Sequence, residues 1–240
     1  MRAPGWPLDG VTAGSQSTTP GSIHLSGVTA GYGGPPVFRN LDLEVDPGEF
    51  VYVVGPSGSG KSTLLKLMHG GLRPLSGTVH VDGIALHGLR RSQLPRVRRQ
   101  VGHVFQTYEL LPYLTTLDNV LLPLQLGHPR LRDARSFALD ALELVGLADK
   151  LKQRADTLSS GEQQRVAVAR AIASQPRVLL ADEPTGNLDS ESSGDIVELF
   201  RQLNGMGSTI VMATHDEVML ARYPARAVRL RPRRPLEVAS

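Results

Sequence analysis

The sequence predicts an α/β domain with a mostly parallel sheet, and three stretches carry that prediction. The first is the apolar run Phe50-Val51-Tyr52-Val53-Val54, then GPSGSGKST over residues 55–63, then Leu64, Leu65 and Leu67 at helical spacing. That order reads as strand, glycine loop and helix start. The second is the run over residues 177–184, whose apolar residues end in the paired carboxylates Asp182 and Glu183. The third is the alternation beyond Ser160: helix 160–173, strand 178–181, helix 192–203, strand 209–213. Strands that alternate with helices argue for parallel pairing, since a parallel connection needs a crossover. Ligands on such sheets gather at the carboxyl ends of the strands, where each motif below falls.

The remaining elements follow in chain order. Residues 1–21 are rich in Pro, Gly, Ser and Thr and lack the apolar core of a signal peptide, which predicts a disordered tail on a cytoplasmic protein. A second tail is expected over residues 231–240, leaving one domain over 22–230. From Ser22 to Val54 the apolar positions alternate, as in Ile23/Leu25 and Leu41/Leu43/Val45, with turns at 31–34 and at Pro47-Gly48. Thr78–Val81 predicts a strand closed by an Asp82-Gly83 turn, and 101–105 a short buried strand. Between Gln106 and Gln164 the pattern turns Leu-rich and helical, over 116–126 and 132–145, with Pro112, Pro123 and Pro129 as punctuation. This predicts a separate helical subdomain over about 107–165.

Composition excludes several function classes. The chain of 240 residues has no cysteine, so neither disulfides nor thiolate metal sites can form. The formal net charge is only +3, and the arginine runs at Arg90-Arg91, 96–99 and 229–234 lack interleaved aromatics. Solvated faces account for such runs, and no nucleic-acid partner is expected. No apolar stretch reaches the roughly 18–20 residues that span a bilayer.

Gly55-x-x-x-x-Gly60-Lys61-Ser62 has the spacing of a phosphate-binding loop. Gly55, Gly58 and Gly60 let backbone N–H groups converge on an anion without a Cβ in the way, and the helix that follows adds its own orphan N–H groups. Ser57, Ser59 and Thr63 complete the cradle. In such a loop Lys61 reaches the β and γ phosphates and the Ser62 hydroxyl ligates Mg²⁺. Asp182, at a strand end, is placed to hold the same ion, and Glu183 to reach the water that attacks the γ-phosphate. Leu158-Ser159-Ser160-Gly161-Glu162 predicts a capped helix start, with Ser159 and Glu162 as a capping box, and a second anion site on the N–H groups beside them.

Taken together these motifs, over residues 22–230, resemble the ATP-binding-cassette ATPases, whose signature is Leu-Ser-Gly-Gly followed by Gln or Glu. The resemblance implies a RecA-like phosphate-loop NTPase core carrying an antiparallel β subdomain and an inserted α-helical subdomain, with ATP and Mg²⁺ bound. It implies that Tyr32 stacks on adenine, Gln106 contacts Mg²⁺ and the attacking water, Asp189 links protomers, and His215 bonds the γ-phosphate. Ser160 stands where the family has its first glycine. If that position needs positive φ, serine costs about 1 kcal/mol there.

The resemblance further implies a homodimer that sandwiches two ATP, with Ser159, Ser160, Gly161 and Glu162 facing the partner's nucleotide. It also implies an integral-membrane permease on a separate chain, whose helix docks near residues 106–119 against Tyr108, Leu110, Leu111, Tyr113 and Leu114. The protein is then peripheral at the inner face of the cell membrane. Residues 98–102, 111–115, 118–120, 181–189 and 212–216 look like the subgroup of lipoprotein-release, macrolide-export and cell-division ATPases. Two other classes share parts of the pattern. Soluble cassette ATPases of DNA repair or translation usually carry two cassettes or long insertions, and this chain has neither; a small-molecule kinase would use the same loop with Glu183 and the signature as accidents.

Overall fold

The computed structural model describes residues 19–127, 133–186 and 188–231. Both expected tails lie almost wholly outside that range, as does Asn187. Two sheets organise the described chain. Strands β1 (Ile23–Ala30), β2 (Phe38–Val45), β4 (Ser76–Val81) and β5 (Ile84–Ala85) form an antiparallel sheet in the order β2-β1-β4-β5. Strands β3 (Phe50–Val54), β6 (Val101–Val104), β7 (Val178–Asp182), β8 (Thr209–Thr214) and β9 (Arg226–Arg229) form the second, in the order β6-β7-β8-β3-β9. Every pairing in this second sheet is parallel.

The central parallel strands β7 and β8 are buried at every position, and apolar except at Asp182, Thr209 and Thr214, because both faces are covered. On one face Val51, Val53, Val178, Leu180, Val211 and Ala213 join a cluster with the antiparallel sheet and helix α1 (Lys61–Met68). On the other, Tyr52, Val54, Leu179, Ala181, Ile210 and Met212 pack in a second cluster with Val120, Leu142, Val168 and Phe200. The side chains alternate between two cores with the period of two that a strand imposes. The antiparallel sheet is covered on one face only, and its strands show it: Ile23 and Leu25 are buried, as are Val79 and Val81, while His24 and His80 face outward.

The helical subdomain comprises α3 (Thr116–Gly127), α4 (Ala134–Leu144) and the start of α5 (Ser160–Ile172), each packed on the other two. Helix α5 runs unbroken across residue 165 and continues onto β6. Buried Asn119 fixes the loop before α3: it accepts from the Leu111 N–H at 2.8 Å and donates to the carbonyls of Leu111 and Thr115 at 3.0 and 3.1 Å. That loop presents Tyr113, 79% exposed, and Leu111 to solvent, while Leu110 packs inward.

Several elements differ from the sequence reading. Helix α6 (Ser190–Gly205) begins two residues earlier than the expected 192, because Asp189 caps it, accepting from the N–H groups of Glu191 and Ser192 at 3.0 and 2.9 Å. Helix α2 (Leu94–Gln100), read only as a charge run, forms because Val97 buries against the core, while Arg98 and Arg99 reach the Gly70 and Gly127 carbonyls at 3.1 and 2.7 Å. Helix α7 (Glu217–Arg222) and strand β9 were also not anticipated; β9 has an exposed edge pattern and gains its place by pairing with β3.

Candidate active site

Strand β3 ends at Val54, and the chain then turns into α1 through the glycine loop. Two glycines there are required by space. A Cβ at Gly55 would lie 2.6 Å from Ser59 Oγ and 2.8 Å from the Leu230 carbonyl; one at Gly60, where φ is +105°, would lie 2.8 Å from the Phe38 ring. Gly58 corrects the expectation that each glycine clears room for the backbone. It sits with Ser57 at the exposed tip of the loop, and a Cβ on Gly58 would meet no atom of the chain within 4 Å. What Gly58 supplies is its φ of +78°, a left-handed turn that a residue with a Cβ adopts only under strain.

Within residues 57–61, and among the described residues, only the Ser59 N–H has an acceptor, the Pro56 carbonyl at 3.1 Å. The other N–H groups, with the buried and unpartnered Ser59 hydroxyl, form a concave set of donors. Such a set at a helix start binds anions.

Lys61 is buried, and its ammonium sits among three oxygens: Gly55 O at 2.8 Å, Pro56 O at 3.4 Å and Glu183 Oε1 at 3.2 Å. The second oxygen of Glu183 lies 3.3 Å from His215 Nδ1. One carboxylate therefore ties the loop lysine to the histidine beyond β8. Glu183 holds φ of +47°, costly for a residue with a Cβ, and is secured by its N–H to the Ala213 carbonyl at 3.0 Å. Because β7 and β8 are parallel neighbours, with Asp182 paired to Ala213, their carboxyl ends deliver Glu183 and His215 to one spot.

Asp182 is buried beside the loop, with its Oδ1 unpartnered. Burial pushes its carboxyl up, opposed chiefly by a hydrogen bond from the Ser62 hydroxyl. An orphaned carboxylate oxygen next to a hydroxyl is a donor set suited to a hard dication, which would reverse the effect of burial.

Tyr32 stands 60% exposed, its hydroxyl 3.4 Å from Thr63 Oγ1 and the Lys66 ammonium 5.8 Å over its ring. Gln106, two residues past β6, is exposed and makes no hydrogen bond among the described residues. The structure thus joins Lys61, Ser62, Asp182, Glu183 and His215 directly, with Tyr32 at the edge.

Ser159 and Glu162 form the anticipated capping box: the Ser159 N–H donates to Glu162 Oε2 at 2.8 Å, and the Glu162 N–H to Ser159 Oγ at 3.3 Å. No hydrogen bond or ion pair among the described residues joins this turn to the phosphate loop of the same chain. Ser160 is the first residue of α5 and is absent from the positive-φ residues, so the strain anticipated for serine does not arise. Asp189 caps α6, and the Ser192 N–H is the main cause that lowers its pKa.

Two residues near these motifs escaped sequence reasoning. Lys150 pairs with Glu162 Oε1, and this hydrogen bond with that of Ser159 lowers the Glu162 pKa to about 2. Arg170 donates to the Tyr108 and Glu109 carbonyls, both at 2.5 Å, and so pins the segment after Gln106, where Tyr108 and Glu109 both have positive φ. Neither partnership has a sequence signal, because each depends on how separate segments pack.

Residues 38–186 match the ABC transporter family. Among curated proteins, the cell division ATP-binding protein FtsE of Mycobacterium tuberculosis is 44% identical over 195 residues, covering 81% of this chain and 85% of the relative. The lipoprotein-releasing system ATP-binding protein LolD of Bacteroides fragilis is 40% identical over 210 residues, covering 87% and 97%. A solved ATP-binding cassette, dimeric in a post-hydrolysis state with ADP and Pi, aligns with a TM-score of 0.80 at 37% identity, covering 88% of this chain and 97% of that one. With the phosphate loop, the strand-end carboxylates and the two-sheet fold in place, the chain belongs to the ATP-hydrolysing ABC transporter ATP-binding family.

Proposed function

We propose that this ATPase works as a nucleotide-closed homodimer that drives a membrane permease on a separate chain. The observation that carries the reading is the Lys61–Glu183–His215 chain of contacts, which puts a phosphate-binding cation, a base and a polar switch on one carboxylate. When ATP engages Lys61, Glu183 is released to accept a proton from the attacking water, and His215 is released to donate to the γ-phosphate. Ser62 and Asp182 would hold Mg²⁺, which neutralises charge on the phosphates.

The signature turn acts across the dimer. The absence, among the described residues, of a hydrogen bond or ion pair to its own phosphate loop, and the dimeric state of the solved cassette, support this placement. Ser159 and the Gly161 N–H each supply a charge-assisted hydrogen bond to the partner's nucleotide, worth about 1.5–3 kcal/mol. Two sites then supply the roughly 5.5 kcal/mol that moves a two-state equilibrium from 1:99 to 99:1. Hydrolysis removes the γ-phosphate and opens the dimer.

Exposed Tyr113 and Leu111, held out by Asn119, offer the permease an apolar contact beside Gln106. No described helix is long and apolar enough to cross a membrane, so attachment falls to that partner. The relatives named for cell division and for lipoprotein release support a role in mechanical coupling at the inner face of the membrane. The decisive experiment uses Glu183→Gln: this variant should bind ATP, cease turnover and double in mass by light scattering with ATP. A hydrolysis-dead variant that remains monomeric with ATP would refute the clamp.

A further inference from the structure

Tyr32 sits in the loop after β1, among Gly31, Gly33 and Gly34. The loop closes behind it where the Val37 N–H donates to the Ala30 carbonyl at 2.6 Å. Beyond Tyr32 the chain packs on nothing: Gly33 holds φ of +86°, and a Cβ on Gly33 or Gly34 would meet no atom within 4 Å. Backbone packing on that side does not set the direction of the Tyr32 ring, so the task falls to contacts of the side chain itself.

Both such contacts come from one face of α1, on which Thr63 and Lys66 are neighbours at a spacing of three residues. Thr63 Oγ1 lies 3.4 Å from the Tyr32 hydroxyl, and the Lys66 ammonium stands over the ring, 5.8 Å from its centroid. That is within the reach of about 6 Å over which the quadrupole of an aromatic ring attracts a cation. Lys66 has no ion pair among the described residues, so no carboxylate draws its ammonium away from the ring. The tip of the ring is thus tied to the helix that begins with Lys61 and Ser62, and one face lies under the ammonium. With the residue 60% exposed, a second face remains open beside the phosphate loop. An open aromatic face in that place is a platform on which a nucleotide base stacks.

We propose that Lys66 is a positioning residue for nucleotide, whose ammonium holds Tyr32 against α1 in the orientation that receives the base. This role rests on Tyr32 as the platform for the base and goes beyond it by naming what holds the platform. A tyrosine that must be ordered when the base arrives costs rotamer entropy, and a ring already held costs less. Lys66 therefore acts on the base end of the nucleotide through Tyr32. Its charge is turned to the ring, and the phosphates belong to the loop and Lys61.

The test is steady-state ATPase kinetics of the full chain at physiological ionic strength, where exposed charges more than about 8 Å apart are screened. Lys66→Met should raise the KM for Mg-ATP about two- to fivefold, the worth of an exposed cation–π contact, with kcat changed by less than about 1.5-fold. Lys66→Arg keeps a cation over the ring and should restore KM. Tyr32→Leu should raise KM at least about fivefold, and Lys66→Met added to it should change nothing further. Inhibition by magnesium tripolyphosphate, which has no base, should be equal in all of these proteins. Weaker tripolyphosphate inhibition in Lys66→Met would mean that Lys66 attracts phosphate, and a raised Mg²⁺ requirement that it acts on the metal. Additive effects with Tyr32→Leu would mean that it touches nucleotide directly; each of these overturns the proposal. An unchanged KM in Lys66→Met beside a raised one in Tyr32→Leu would refute Lys66 and leave the platform, whereas an unchanged KM in both would remove the platform and the proposal with it. ATP-dependent dimerisation of Glu183→Gln is a separate readout, so either failure leaves the clamp to be scored by itself.

Discussion

Lys61 and Glu183 hold each other in an ion pair of 3.2 Å, and the role proposed for Lys61 can be tested singly. Lys61→Ala removes the only ammonium inside the glycine loop, and triphosphate affinity by calorimetry should fall at least a hundredfold, since a charge-assisted contact of about 1.5–3 kcal/mol is lost at two phosphates. Unchanged affinity would remove Lys61 from its role. Ser160 makes the opposite prediction. Because its backbone is helical, Ser160→Gly relieves no strain, and ATPase turnover should stay within about twofold, with unfolding free energy changed by less than about 1 kcal/mol. A large loss of turnover would give that hydroxyl a function of its own.

At the scale of elements, the signature helix starts where it does because three groups interlock: Ser159, Glu162 and Lys150. Lys150→Met should leave nucleotide affinity of the monomer intact and weaken the ATP-dependent dimer. In a Glu162→Gln background the same change should do nothing, since Lys150 acts through the Glu162 carboxylate. Additive effects in that double-mutant cycle would show that Lys150 touches something else. The loop before α3 depends on a single buried side chain. Asn119→Ala leaves the Leu111 N–H without its acceptor, while the Leu111 and Thr115 carbonyls keep the N–H groups of Leu114 and residue 119, and should lower stability by about 1–3 kcal/mol in urea unfolding.

For the molecule as a whole, two cores flank one sheet, and the histidine pair lies at the edge of both. His69 and His103 are held below their ordinary value of 6.5 by burial, to about 4 and about 3. The unfolded chain therefore binds protons that the folded chain refuses once pH falls below 6.5, so their contribution to stability is complete above that pH. It is lost progressively toward pH 4. His103→Phe, which keeps the aromatic contact with Phe105, should flatten the decline of the urea midpoint between about pH 6.5 and about pH 5. An unchanged slope would mean that the ring is solvated when folded.

What could be read from sequence alone was whatever local chemistry dictates. The glycine spacing of 55–60, the carboxylates ending an apolar run, and the Ser159/Glu162 cap each state their conformation within a few residues, because each answers to backbone sterics or to hydrogen bonds a turn apart. The spacing did not say which glycines answer to crowding, as Gly55 and Gly60 do, and which to dihedral freedom alone, as Gly58 does, since the neighbours that would crowd a Cβ come from Phe38 and Leu230. Strands β3, β7 and β8 were legible because their unbroken apolar runs are the mark of two buried faces. Helix α2 and strand β9 were not, since one carries few apolar residues amid arginines and the other is held by pairing with a strand far away in the chain, as in Tyr52 with Ala227. Tertiary structure alone decided the Lys61–Glu183–His215 chain, the Lys150 tether and the Lys66 contact on Tyr32. Each joins segments distant in sequence through side chains whose partners are chosen by the packing of the sheet and its helices, and no local pattern encodes that choice.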